Sequence, residues 1–203
     1  MTRIQSTAQG LLVRLGIDRL AEILVRLDVV VHTERREAKQ RARERNLEVE
    51  QLEAIRDEIV LLGEMSETLG QLALVGLYSL VEHRMKALMA PYAASKAELD
   101  SFYRIDALKG VSQARFQINL ERDVKNFSAV DEIRLINNAV KHSGGMVSPK
   151  LALAFPRWKQ GRPLGDLKKA FNRLAPKVPP FFKDLALRLP NPPRTPPSVR
   201  RLP

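Results

Sequence analysis

Twelve of the 13 prolines lie at or after Pro149, and Pro91 is the single proline before it. A proline inside a helix removes a donor and collides with the preceding turn, so long helices belong to the part of the chain that lacks them. Charge divides at the same place. From Lys150 to Pro203 there are 13 Lys and Arg against Asp166 and Asp184, whereas residues 1–149 carry 21 basic and 21 acidic residues. The net charge of +11 therefore resides in the last quarter. This double shift, just past Gly145, is the clearest boundary in the chain. It sets three regions: an N-terminal helix with a charged segment (1–46), a helical domain (47–145) and a basic, Pro-rich extension (146–203).

Helical periodicity dominates what precedes the boundary. Leu12, Leu15, Leu20, Ile23, Leu24, Leu27 and Val31 recur at helical spacing, which predicts an amphipathic helix over 11–31. His32 to Arg45 has good helix formers and little to bury, and reads as a solvated helix laced by Glu34 and Glu37; a nucleic-acid arm is the sharper alternative. Leu47 to Met89 reads as a long helix with Leu52, Ile55, Ile59, Leu62, Leu69, Leu72 and Leu80 as its seam, ended by Pro91. Lys96 to Asp123 supplies one or two further helices, with Gly110 as a candidate break. No alternating pattern of convincing length appears before Met146, and Leu151 to Phe155 is the one candidate strand. The expected class is all-α.

The absence of cysteine excludes disulfides, thiolate metal sites and cysteine nucleophiles, and fits a cytoplasmic protein. His32, His83 and His142 share no short ligand spacing, so neither a metal nor another cofactor is expected. Arg14, Asp18, Arg19, Glu22, Arg26 and Asp28 interrupt the N-terminal apolar stretch, and no run resembles an uncharged transmembrane segment.

Chemistry-bearing residues concentrate in Asp131 to Gly145. Ser128 reads as the N-cap of this helix, Asp131 and Glu132 suit the positive end of its dipole, and Gly144-Gly145 reads as its stop. At about 100° per residue, Arg134, Asn138, Lys141 and His142 share one side, with Ile133, Ile136 and Val140 opposite. Such a face suits an anion such as an RNA phosphate, or a neighbouring subunit. Each residue also has a structural reading: Arg134 in an ion pair, Asn138 as a buried polar group, and Lys141 and His142 as cations complementing the helix C-terminus.

Asn137-Asn138-Ala-Val-Lys-His-Ser resembles the N-box helix of two-component histidine kinases. Arg134 stands where that box has its glutamate base, and no DxGxG or GxG box follows Gly145. Over roughly Leu47 to Gly145 the chain is more similar to the HEPN superfamily of small helical proteins, on the Leu77–Leu88 helix and the Arg134/Asn138/His142 face. That resemblance implies a helical bundle with a long hairpin, an RNA-directed protein of antiviral defence or toxin–antitoxin systems with a cognate protein partner, and metal-independent ribonuclease chemistry or a non-catalytic relative. In the catalytic case His142 moves the proton, Arg134 and Lys141 stabilise phosphorane charge, and Asn138 positions the phosphate or His142. The spacing departs from the family's four to six residues, since seven separate Arg134 from His142. Eight steps of about 1.5 Å place them roughly 12 Å apart along the axis, so one phosphate reaches both more readily across a two-fold homodimer.

Past the boundary, Leu164, Leu167, Phe171 and Leu174, and then Phe181, Phe182, Leu185 and Leu189, predict two short basic helices that must dock to be stable. Residues 191–203 read as extended and Pro-rich. Arg157, Trp158, Lys159, Lys168, Lys169 and Arg173 interleave with aromatic residues, a pattern that suits single-stranded nucleic acid. It also suits an anionic lipid surface, or apolar faces packed inward with cations outside. The functional expectation is an RNA-binding protein or ribonuclease; the alternative is a non-enzymatic scaffold whose basic tail binds nucleic acid or an acidic partner.

Overall fold

The computed structural model describes residues 3–43, 47–102 and 104–191, with side chains from Val13 onward. Among these residues the regular structure is helical, apart from one isolated antiparallel bridge between Met146 and Pro163. The elements are α1 (Arg3–Arg41), α2 (Val49–Met89), α3 (Lys96–Ser101), α4 (Ile105–Phe116), α5 (Leu120–Asp123), α6 (Phe127–His142), α7 (Pro149–Ala154), α8 (Leu167–Leu174) and α9 (Val178–Arg188). The all-α expectation holds. The amphipathic and charged N-terminal stretches form one continuous helix, and α4 runs straight through Gly110. The expected Pro-rich stretch past Asn191, and Glu44 to Asn46 of the charged segment, lie outside the described residues.

Two local expectations are corrected. Leu151 to Phe155 is not a strand: Pro149 opens a helix there, and the Ser148 side chain accepts a hydrogen bond from the Leu151 N–H. Ser128 is not an N-cap, because α6 starts at Phe127. Burial of the Phe127 ring against Phe181 draws that residue into the helix, and Asn126, at φ 61°, makes the turn before it.

The chain groups into two compact units. The first comprises Met1–Ile17, Leu77–Leu135 and Arg173–Pro203. Its core includes Leu77, Val81, Met85, Phe102, Leu108, Leu120, Ile133, Leu174, Phe181, Phe182 and Leu185, all buried. Phe181 stacks edge-on against Phe182, so the apolar side of α9 is interior while Lys183 and Arg188 face out. The Tyr92 hydroxyl donates to the Pro190 carbonyl at 2.6 Å and ties the end of α9 to the turn that follows α2.

The second unit comprises Asp18–Gly76 and Ile136–Asn172. Here α1 and α2 run antiparallel: Leu20 packs at Gly76, Arg35 lies at Gly63, and Arg41 donates to Glu58 at 2.7 Å. Val31 and Ala38 from α1, with Ile55, Leu62 and Ala73 from α2, form the buried seam. One side of this hairpin is covered, since Leu167 and Lys168 of α8 sit against Gly70 and the Lys168 ammonium pairs with Asp28. A Cβ at Gly70 would stand 3.0 Å from both Leu167 Cβ and the Lys168 nitrogen, so the approach of α8 requires glycine there. On the other shoulder Ile23, Leu27 and Val30 of α1, and Leu61, Met65 and Leu72 of α2, remain about half exposed. The helix that carries three of them, Val49–Tyr92 with its terminal turn, is long and apolar enough to cross a membrane by length and composition, and 22% of its most apolar stretch is buried.

Candidate functional site

The motif helix α6 supplies Arg134 to the first unit, and Asn138, Lys141 and His142 to the second. The apolar stripe is as expected for Ile133 and Ile136, which are fully buried. Glu132 and Asn137 are buried with them.

In the first unit two consecutive carboxylates each hold an arginine. Arg134 donates through Nε to Asp131 at 2.9 Å, an i,i+3 pair whose side chains are only 20% and 18% exposed. Glu132 is 2% exposed and accepts two hydrogen bonds from Arg173, at 2.7 and 2.9 Å. A bidentate guanidinium is the group best suited to hold a carboxylate away from water. Tyr78 lies near this pair; burial pushes its hydroxyl up to about 12, with the Glu82 and Asp131 charges adding and Arg134 opposing. Arg134 and Arg173, both expected at phosphates, are thus engaged by carboxylates of α6. Glu132 was missed because a carboxylate read in a helix's first turn passes for dipole compensation; α6 starts at Phe127 and has no acid in its first turn, and an arginine 41 residues later carries no local signal.

In the second unit α6 ends as the paired glycines require. Gly144 and Gly145 have φ of 57° and 76°, and the Gly145 N–H donates to the Ala139 carbonyl at 3.0 Å, closing a Schellman-type turn. Lys141 and His142 are exposed, Asn138 is half-buried, and Asn137 is buried with its Oδ1 unpartnered among the described residues. The adjacent asparagines therefore play different parts, which helical phase alone decides.

The loop that follows α7 returns to this helix end. The Leu164 N–H donates to the Gly145 carbonyl at 2.7 Å, the Val147 N–H to the Arg162 carbonyl at 2.8 Å, and the Gly161 N–H to the Val147 carbonyl at 3.1 Å. These bonds gather Lys141, His142, Lys150, Lys159 and Arg162, all exposed, around one turn, with Trp158 half-buried in the returning loop. Lys150 and Arg162 join the expected Lys141, Trp158 and Lys159; the Met146–Pro163 bridge that brings them in has no signature in the sequence. Arg157 is exposed in the same loop. Lys168 is bound to Asp28, and Lys169 pairs with Asp166 at 2.8 Å on the surface.

No group of three or more His, Cys, Asp or Glu that could hold a metal occurs among the described residues. No family model matches the chain, and neither the curated proteins nor the solved structures offer a match.

Proposed function

We propose that the protein is an RNA-binding, non-enzymatic helical scaffold, akin to the non-catalytic members of the HEPN superfamily. The gathering of Lys141, His142, Lys150, Lys159 and Arg162 around the end of α6 carries this reading. Cations neutralise phosphates, and Trp158 lies half-buried in the same returning loop. Against chemistry stands Arg134, whose guanidinium is held by Asp131 of its own helix and so is not held out for a transition-state phosphate.

The test is binding of a labelled single-stranded RNA together with a cleavage assay in EDTA. Lys159→Ala with Arg162→Ala weakens binding several-fold and lowers its salt dependence, and His142→Ala leaves intact RNA intact, as does wild type. Metal-independent cleavage that disappears in His142→Ala would overturn the scaffold reading in favour of the ribonuclease.

The same reading makes the protein a homodimer. Six half-exposed side chains on the open shoulder of the α1–α2 hairpin present on the order of 500 Å² of apolar-residue surface, the size of the largest patch on a typical monomer and one that often marks an interface. Two hairpins placed face to face make a four-helix arrangement that buries on the order of 1,000 Å² in total, at the low end for a specific interface.

A further inference from the structure

The charges of the second half of α1 are sorted by side. His32, Arg35, Arg36 and Lys39 fall within about 100° of one another around the helix, on the side of the seam where Asp28 meets Lys168, and Arg43 follows them in the turn after α1. Glu34 and Glu37 fall on the other side, as does Arg41, which is tied there to Glu58. A helix whose charges only lace one another for solubility would interleave them at i,i+4. Instead Arg35, Arg36, Lys39 and Arg43, with His32 and Gln40, line an open concavity of about 490 Å³.

Arg35 forms its floor. The side chain is half-buried, its guanidinium lies on α2 where a methyl at Gly63 would be 3.7 Å from Nη2, and its Nε is buried with no hydrogen-bond partner among the described residues. The neighbouring acid at the rim, Asp28, is already engaged by Lys168 and stands 3.4 Å from His32. On the surface above, Arg36, Lys39 and Arg43 are exposed.

We propose that this concavity is a phosphate-binding site, in which Arg35 anchors one phosphate group while Arg36, Lys39 and Arg43 track the neighbouring phosphates of a polyanion. The identity of that polyanion as single-stranded RNA rests on the function proposed above; the site itself does not. Guanidinium groups spaced one turn apart on a single helix sit about 5 Å apart along the axis, comparable to successive phosphates of an extended strand.

The experiment uses the full chain with Arg36→Ala, Lys39→Ala and Arg43→Ala combined, all solvent-facing changes that leave the seam untouched. Circular dichroism and the thermal midpoint confirm that the variant is folded. Two probes are titrated: a labelled 20-nucleotide RNA across a salt series, and inorganic tripolyphosphate. RNA affinity falls at least tenfold, the salt slope drops by roughly two units, as expected for about three lost contacts at 0.7 each on a single strand, and tripolyphosphate binding is lost. If wild type binds no RNA but binds tripolyphosphate through these residues, the site stands and the RNA reading falls. If RNA binding depends on Lys159 and Arg162 while both probes bind the α1 variant as they bind wild type, the site is overturned and the RNA reading survives. Binding of neither probe to wild type overturns both.

Discussion

At the scale of single residues, the ion pairs of α6 decide what its polar groups can do. Glu132 is buried and accepts two hydrogen bonds from Arg173, at 2.7 and 2.9 Å. Arg173→Ala strips those two charge-assisted hydrogen bonds from a buried carboxylate, and the expected loss is about 3 kcal/mol of unfolding free energy, read from urea denaturation. A loss below about 0.5 kcal/mol, the size of a surface change, would show that the pair does not hold α8 and α6 together. Tyr78 offers a second measurement. Its hydroxyl ionises near 10 in the unfolded chain and at about 12 when folded, so between those values the unfolded state binds fewer protons. Stability therefore falls as pH rises through that window and is unaffected by this group below it. Tyr78→Phe should flatten the alkaline limb of stability against pH; an unchanged limb would place the cause elsewhere.

At the scale of elements, glycine positions in the second unit set how closely helices approach. Gly70→Ala gains about 1 kcal/mol of helix propensity but drives its methyl to 3.0 Å from the Leu167 Cβ and the Lys168 nitrogen. Backbone cannot swing aside as a side chain can, so a net destabilisation of about 1 kcal/mol is expected. Gly63→Ala meets only the Arg35 guanidinium, at an ordinary contact distance of 3.7 Å, and should stabilise by up to about 1 kcal/mol from propensity. Thermal midpoints of the two variants moving in opposite directions confirm the contrast; both falling would mean that α1 and α2 are also too close at Gly63. The C-terminal helices belong to the same argument. They carry Leu151, Leu167, Phe171, Phe181, Phe182 and Leu185 in the buried set, so apart from Arg173, which reaches the buried Glu132, their cations lie on their outer sides.

At the scale of the whole molecule, each compact unit is assembled from separated stretches of chain. Truncation after Ser148 removes buried side chains from both units, and the product is expected to lose cooperative unfolding and to aggregate, as seen by light scattering. A truncated chain that still unfolds cooperatively would show that residues 149–203 are an appendage. Self-association belongs here too. Leu61→Glu with Leu72→Glu on the open shoulder of the hairpin should convert a dimer to a monomer in sedimentation velocity at micromolar concentration while raising solubility. Dimers that persist in this variant would locate the interface on another surface, and wild-type binding to anionic vesicles lost in the variant would assign the shoulder to a membrane.

Much of the architecture was legible from the chain alone because it rests on local rules. Period 3.6 over 11–31 and 47–89 predicts the two long helices, Pro91 marks the end of the second, and Gly144-Gly145 marks the end of α6; these depend on a few adjacent residues and on backbone sterics. Helical phase likewise places Ile133 and Ile136 inside and Lys141 and His142 outside. What a polar side chain meets is another matter, because partners are set by contacts between residues far apart in the chain. Tertiary structure alone decided that Glu132 is buried and bound by Arg173, that Lys168 answers Asp28 across 140 residues, and that Lys150 and Arg162 join the end of α6 through the Met146–Pro163 bridge. The +11 excess could be counted from composition, but a charge acts through what faces it. Which of these cations face water and which face carboxylates is fixed only when the helices pack, since Coulomb energy depends on separation and burial, and neither exists until the fold does.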